Sequence, residues 1–153
     1  MYLSKRRKIK INTLVGLIYF KLCQANNEGI QIIINVSNNI PEIKLDTITI
    51  KELSRVMGIL LDNAMDSAIE TEEKSLSLYV YKEKENIIFQ LSNTFKGRIN
   101  INLLNKKGYT TKGESHGYGL VIVKGILKRN KKITLNSEIN NNVFTQYLKL
   151  NIN

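Results

Sequence analysis

Gly58-Ile59-Leu60-Leu61-Asp62-Asn63-Ala64-Met65-Asp66-Ser67-Ala68 is the stretch on which the reading of this chain turns. With the residues before it, Leu53, Val56, Met57, Leu60, Leu61, Ala64 and Ala68 recur at intervals of three and four, which predicts one long amphipathic helix from about Thr49 to Glu70. Asn63 lies about a quarter turn off the centre of that apolar stripe, at the edge of a core. An amide there serves either as a hydrogen-bond partner for a neighbouring loop or as a ligand. Its carbonyl oxygen suits Mg²⁺, which takes one or two protein ligands and completes its octahedron with water and phosphate oxygens.

Upstream, Leu14, Leu17, Ile18, Leu22 and Ala25 mark another helix, ended by Asn26-Asn27-Glu28-Gly29, and the β-branched run Ile32 to Val36 reads as a strand. Downstream, Ser75 to Tyr81 and Ile87 to Ser92 read as a hairpin. Leu120, Val123, Ile126 and Leu127 form a further helical stripe, and Ile133 to Ser137 and Val143 to Ile152 a second hairpin around Asn140-Asn141-Asn142. The stretch from Phe95 to Gly119 is glycine-rich and irregular, with a turn of helix around Leu103 and Leu104. Adjacent strand pairs imply antiparallel ladders. With helices gathered on one face, the order predicts a two-layer α/β sandwich of a mixed, mainly antiparallel sheet.

The glycine-rich segment Thr110-Thr111-Lys112-Gly113-Glu114-Ser115-His116-Gly117-Tyr118-Gly119-Leu120 runs straight into the third helix. A helix start leaves backbone N–H groups unpaired, and glycines let backbone approach an anion closely, so this junction is a candidate phosphate cradle. Lys112 and the hydroxyls of Thr110 and Thr111 would complete it. The segment lacks the Gly-Lys-Ser/Thr ending of a P-loop and the third glycine of a dinucleotide fingerprint. A ligand-free surface loop is the alternative reading. Loop and Asn63 together point to Mg²⁺-ATP.

Composition bounds the rest. The 153 residues suit one domain, and 42% hydrophobic with 24% charged content excludes a disordered chain. No run approaches the roughly 18 apolar residues of a membrane helix, and no export signal follows the N-terminal charges. The single cysteine, Cys23, makes no internal disulfide, in keeping with a cytoplasmic location. A formal net charge of +10 favours anionic partners. Much of that charge lies in Lys5, Arg6, Arg7, Lys8 and Lys10, so residues 1–11 read as a solvated basic tail or the remnant of an upstream linker, and 12–153 as the domain. A nucleic-acid or membrane-contacting arm is the alternative for the tail. No basic-aromatic interleaving supports a nucleic-acid-binding module, so neither nucleic acid nor membrane is expected as a partner.

Leu60-Leu61-Asp62-Asn63-Ala64 resembles the N box of histidine kinases in the GHKL (Bergerat-fold) superfamily, and Gly113 with Gly117-Tyr118-Gly119-Leu120 resembles its second glycine box. The nearer likeness is to peptide-pheromone sensor kinases of the accessory gene regulator type. It rests on Gly58 to Ala64, Thr110 to Gly113 and Gly117 to Leu120, and extends upstream to the junction-like Asn12 to Tyr19. The resemblance implies a catalytic ATP-binding domain in which Asn63 ligands Mg²⁺ and acts with Lys112 as the catalytic pair. It further implies that Thr110, Thr111, Lys112, Gly113, Gly117, Tyr118, Gly119 and Leu120 hold the nucleotide. Asn93, at the end of Leu91-Ser92-Asn93-Thr94, stands where the family's adenine-binding aspartate belongs, and as a neutral acceptor it makes a weaker bond. Ile59 occupies the place of the water-activating glutamate of the superfamily's ATPases; isoleucine is no general base, which disfavours hydrolysis and leaves phosphoryl transfer to a protein.

The implied partner is a dimerisation and phosphoacceptor histidine domain outside this chain, with a response regulator downstream. The one histidine, His116, sits inside the nucleotide loop and is not read as an acceptor. The catalytic domain alone is expected to be a monomer, inactive without its acceptor domain. A stand-alone protein serine kinase of the anti-sigma kind is the alternative that shares the fold.

Overall fold

A computed structural model describes residues 2–99 and 117–153, with 2–13 and 15 described by backbone alone. The elements are α1 (Tyr2–Asn27), β1 (Gln31–Val36), α2 (Thr47–Ala68), β2 (Ser75–Glu83), β3 (Asn86–Thr94), α3 (Gly117–Arg129), β4 (Ile133–Asn140) and β5 (Val143–Asn151). The five strands form one sheet in the order β1-β2-β3-β5-β4. β1 pairs parallel with β2 and the remaining ladders are antiparallel, so the sheet is mixed and mainly antiparallel, as its sequence order predicts.

Register explains why the helices cover one face. It sets Val80 beside Phe89 and Phe89 beside Leu148, with Ile87 beside Leu150 and Leu150 beside Ile133. These residues are buried with Leu53, Val56, Met57, Leu60, Leu61, Ala64 and Ala68 of α2 in one core. Full burial of each such side chain contributes roughly 1.5–3 kcal/mol, which is why α2, apolar along its whole length, lies centrally on the sheet. The other face carries Ser92 hydrogen-bonded to Thr145 (2.8 Å), Tyr81 donating to Gln90 (3.1 Å) and Tyr147 donating to Glu138 (2.6 Å).

α1 ends as the sequence predicts. Gly29 adopts φ 84°, Ile30 N–H donates to Ala25 O (3.0 Å) and Gly29 N–H to Asn26 O (3.0 Å), the paired bonds of a Schellman cap. At its other end α1 continues upstream through the basic stretch to Tyr2. That stretch holds no proline or glycine and is rich in Lys and Arg, both good helix formers. β2, β3 and β4 run two to three residues past their predicted ends, because ladder pairing continues to Glu83, Thr94 and Asn140 beyond the apolar alternation, whereas β5 stops at Asn151, one residue short of its predicted end. The turn predicted around Leu103 and Leu104 lies outside the described residues.

α2 starts two residues before the apolar stripe suggests, capped by Asp46. Its carboxylate accepts from Thr49 N–H (2.7 Å) and Thr49 Oγ1 (2.8 Å), and Lys132 Nζ stands 3.7 Å away. The backbone N–H of Thr49, then its hydroxyl, hold this carboxyl below its ordinary value of 3.8. A depressed folded value means that the contribution is complete above the ordinary carboxylate range and is lost as pH falls through it. The variant Asp46→Asn retains a cap without a titrating group. Its urea midpoint is expected to fall less steeply than that of the unaltered chain as pH drops from about 5 to about 2; parallel acid limbs would refute the assignment.

Candidate nucleotide site

α3 lies against α2 in the opposite direction. At one end Arg129 Nε approaches Glu52 Oε2 at 3.4 Å, an ion pair without hydrogen-bond geometry, and Asn130 Nδ2 donates to Thr49 Oγ1 at 3.2 Å. At the other end Gly119 comes so close to Ile59 that a β-carbon on the glycine would stand 2.9 Å from Ile59 Cγ2. Two attachments about ten residues apart on α3 therefore set its N-terminal turn beside the middle of α2.

Between the helices lies an open cavity of about 460 Å³ lined by Lys21, Gln24, Glu28, Ile59, Asp62, Asn63, Met65, Asp66 and Gly119. That volume falls within the roughly 300–1,000 Å³ of small-molecule sites. The structure thus brings Asn63 and Gly119 to one cavity. Tyr118 points outward, 68% exposed, and Leu120 is half-buried. Asn93 is buried, 3% exposed, on the helix-facing side of β3; its amide donates to Thr94 O (3.0 Å), and it does not line the cavity. Thr110, Thr111, Lys112, Gly113 and His116 lie outside the described residues.

Buried hydroxyls hold the region around Asn93. Thr71 Oγ1 donates to Ala68 O (2.7 Å), and the Thr71 and Thr94 hydroxyls are 2.8 Å apart. The N–H groups of Lys74 and Ser75 donate to Thr71 Oγ1 (2.9 Å) and Thr94 Oγ1 (3.1 Å). This network closes the C-terminal end of α2 onto the strand that carries Asn93, and it is invisible in the sequence because its members are 23 residues apart.

Six lining residues escape the sequence reading: Lys21, Gln24, Glu28, Asp62, Met65 and Asp66. Their signal is faint but present, since Lys21, Gln24 and Glu28 recur at intervals of three and four beside the apolar stripe of α1. Lys21 Nζ donates to Asp62 Oδ1 at 2.6 Å, and Leu17 Cδ2 would lie 3.9 Å from a β-carbon on Gly58, so α1 packs along α2 next to the cavity.

Among the described residues, the wall carries the carboxylates of Glu28, Asp62 and Asp66 against one ammonium, that of Lys21. A bare polyphosphate is disfavoured by that surplus of negative charge, whereas one complexed with a divalent cation is much less so. Among the described residues no cluster of three or more His, Cys, Asp or Glu forms a metal site. The amide oxygen of Asn63 fits Mg²⁺, which needs few protein ligands. Nor is any helix among the described residues long and apolar enough to cross a membrane.

Comparison with known proteins agrees with this geometry. A family model described as GHKL domain matches residues 48–151, and the chain belongs to that family. It is 28% identical over 149 residues to a probable C4-dicarboxylate sensor kinase of Halalkalibacterium halodurans, covering 93% of this chain and 28% of the relative. Over 111 residues it is 26% identical to the sensor protein CitS of Bacillus subtilis, covering 71% and 20%. The chain thus spans about a quarter of the length of these relatives. Among solved structures, the catalytic domain of histidine kinase ThkA superposes with TM-score 0.74 at 16% identity, covering 94% of this chain and 93% of that one. Full-length ShkA in complex with AMPPNP gives 0.69 at 19%, covering 93% and 29%. The fold is that of histidine kinase catalytic domains.

The Gly119 contact makes a specific forecast. Gly119→Ala is expected to destabilise the chain by about 1–3 kcal/mol through overpacking against Ile59, and adding Ile59→Ala should recover part of the loss by removing Cγ2. Chemical denaturation of the single and double variants measures this, and strictly additive effects would show that the two residues do not meet.

Proposed function

We propose that this domain binds Mg²⁺-ATP and donates its terminal phosphoryl group to a histidine on a separate dimerisation and phosphoacceptor domain, as the catalytic part of a two-component sensor kinase. The observation that carries the proposal is the convergence of Asn63, Ile59 and the N-terminal turn of α3 on one cavity. Membership of the GHKL family and the sensor-kinase names of its relatives support it.

In this reading Asn63 contributes its amide oxygen to the metal, and the turn at Gly117-Tyr118-Gly119-Leu120 turns backbone N–H groups toward the phosphates. Asn93 accepts from the adenine amino group, and Thr110, Thr111, Lys112 and Gly113 complete the enclosure. Bound Mg²⁺ neutralises charge on the phosphate oxygens. Ile59 presents methyl and methylene groups where a hydrolase needs a base, so no lining side chain at that position takes a proton from water. Transfer then breaks the bond between the terminal phosphorus and its bridging oxygen, forms a bond to an imidazole nitrogen of the acceptor, and leaves ADP. Positioning and charge neutralisation supply most of the catalysis. A peptide pheromone as the ultimate signal rests on the matches at Gly58 to Ala64 and Gly117 to Leu120; a full-length sensor that responds to a C4-dicarboxylate and to no secreted peptide would reject that signalling class.

Titration with a fluorescent ATP analogue in the presence of Mg²⁺ is expected to show binding by the unaltered chain and a loss of about tenfold or more in Asn63→Ala. Equal affinities would remove Asn63 from the site. Incubation with labelled ATP and a separately expressed phosphoacceptor helix pair is expected to label histidine, with little free phosphate released. Labelling of serine instead would place the domain among protein serine kinases.

A further inference from the structure

The cavity beside Asn63 is not built from the nucleotide-binding helices alone, because one wall comes from α1. Lys21 is the one cationic side chain among the described residues that line it, and its position is held: Nζ lies 2.6 Å from Asp62 Oδ1, immediately before Asn63 on α2. The lysine side chain is 20% exposed and the aspartate 52%. An ion pair this open to water contributes about 0–1 kcal/mol, too little to explain a tether between helices that already meet through Leu17 and Gly58. An ammonium carries three N–H donors, and Asp62 takes one. The others remain for an acceptor in the cavity, and lysine is a common point-charge partner of phosphate.

We propose that Lys21 is a phosphate-contacting residue of the nucleotide site, supplied by α1 and aimed by Asp62. The inference rests on the Mg²⁺-ATP reading above and goes beyond it, because it makes α1 part of the site. Asp62 is then a positioning residue that acts through Lys21. A consequence follows for regulation: each residue of a helix turns its side chain by about 100°, so rotating α1 against α2 by a fraction of a turn withdraws the ammonium from the phosphates while Asn63 stays in place.

The test uses the unaltered chain and the variants Lys21→Met, Lys21→Arg, Asp62→Asn and Asn63→Ala. Affinities for ATP, ADP and AMP are measured by competition against a fluorescent ATP analogue with Mg²⁺ present, and melting temperatures are recorded for each variant. Loss of one charge-assisted hydrogen bond is expected to weaken ATP binding by about 10-fold to 100-fold in Lys21→Met while changing AMP binding far less. Lys21→Arg retains more affinity than Lys21→Met because it keeps the cation, and Asp62→Asn falls between the unaltered chain and Lys21→Met. Undiminished ATP affinity in Lys21→Met overturns the proposal, and so does a loss of the same size for ATP and AMP. If Lys21→Met fails to fold, Lys21→Arg and Asp62→Asn decide: unchanged ATP affinity in Asp62→Asn despite a broken ion pair overturns the role given to Asp62, and with it the proposal as stated. Loss of binding in Asn63→Ala alone rejects Lys21 and leaves the nucleotide reading standing; no binding of ATP by the unaltered chain overturns both.

Discussion

The close approach of Gly119 to Ile59 is the constraint on which the site depends. It fixes where α3 begins relative to α2. Any side chain larger than hydrogen at 119 would separate the two helices and widen the space between the start of α3 and Asn63. The same contact occupies the position at which a hydrolytic enzyme of this superfamily needs a base. One packing interaction thus sets the geometry of the cavity, and in the proposed function the identity of residue 59 bears on its chemistry.

Charge shapes the site as much as packing does. The chain carries a net +10, yet among the described residues the cavity wall holds more carboxylate than ammonium. The global charge attracts anions at long range, while the local surplus of carboxylate selects those that arrive with a cation. α1 contributes to both, for it bears the basic upstream stretch and also Lys21. A helix that looks from its sequence like a connection into the domain thereby becomes one wall of its cavity.

The element order, the helical stripe of α2, the Schellman cap at Gly29 and the edge position of Asn63 were all legible in the chain. Each rests on local rules: periodicity along one helix, a glycine able to reach positive φ, alternation along one strand. The starts and ends of elements were less legible. Asp46 caps α2 through a threonine three residues on, and β4 continues to Asn140 because its partner does. The threonine network that joins Thr71 to Thr94 and the pairing of Lys21 with Asp62 could not be read at all, since their members lie 23 and 41 residues apart.

The sequence by itself determined that this is an α/β domain with an amide at the edge of its central helix and a glycine-rich entry to its last one, because side-chain periodicity and backbone freedom are properties of neighbouring residues. Only the tertiary structure decided that α3 runs back along α2, that Ile59 closes onto Gly119, and that Lys21 stands at the wall of the same cavity as Asn63. Those are contacts between distant segments, chosen by which apolar faces must be buried together and by how closely two backbones can approach.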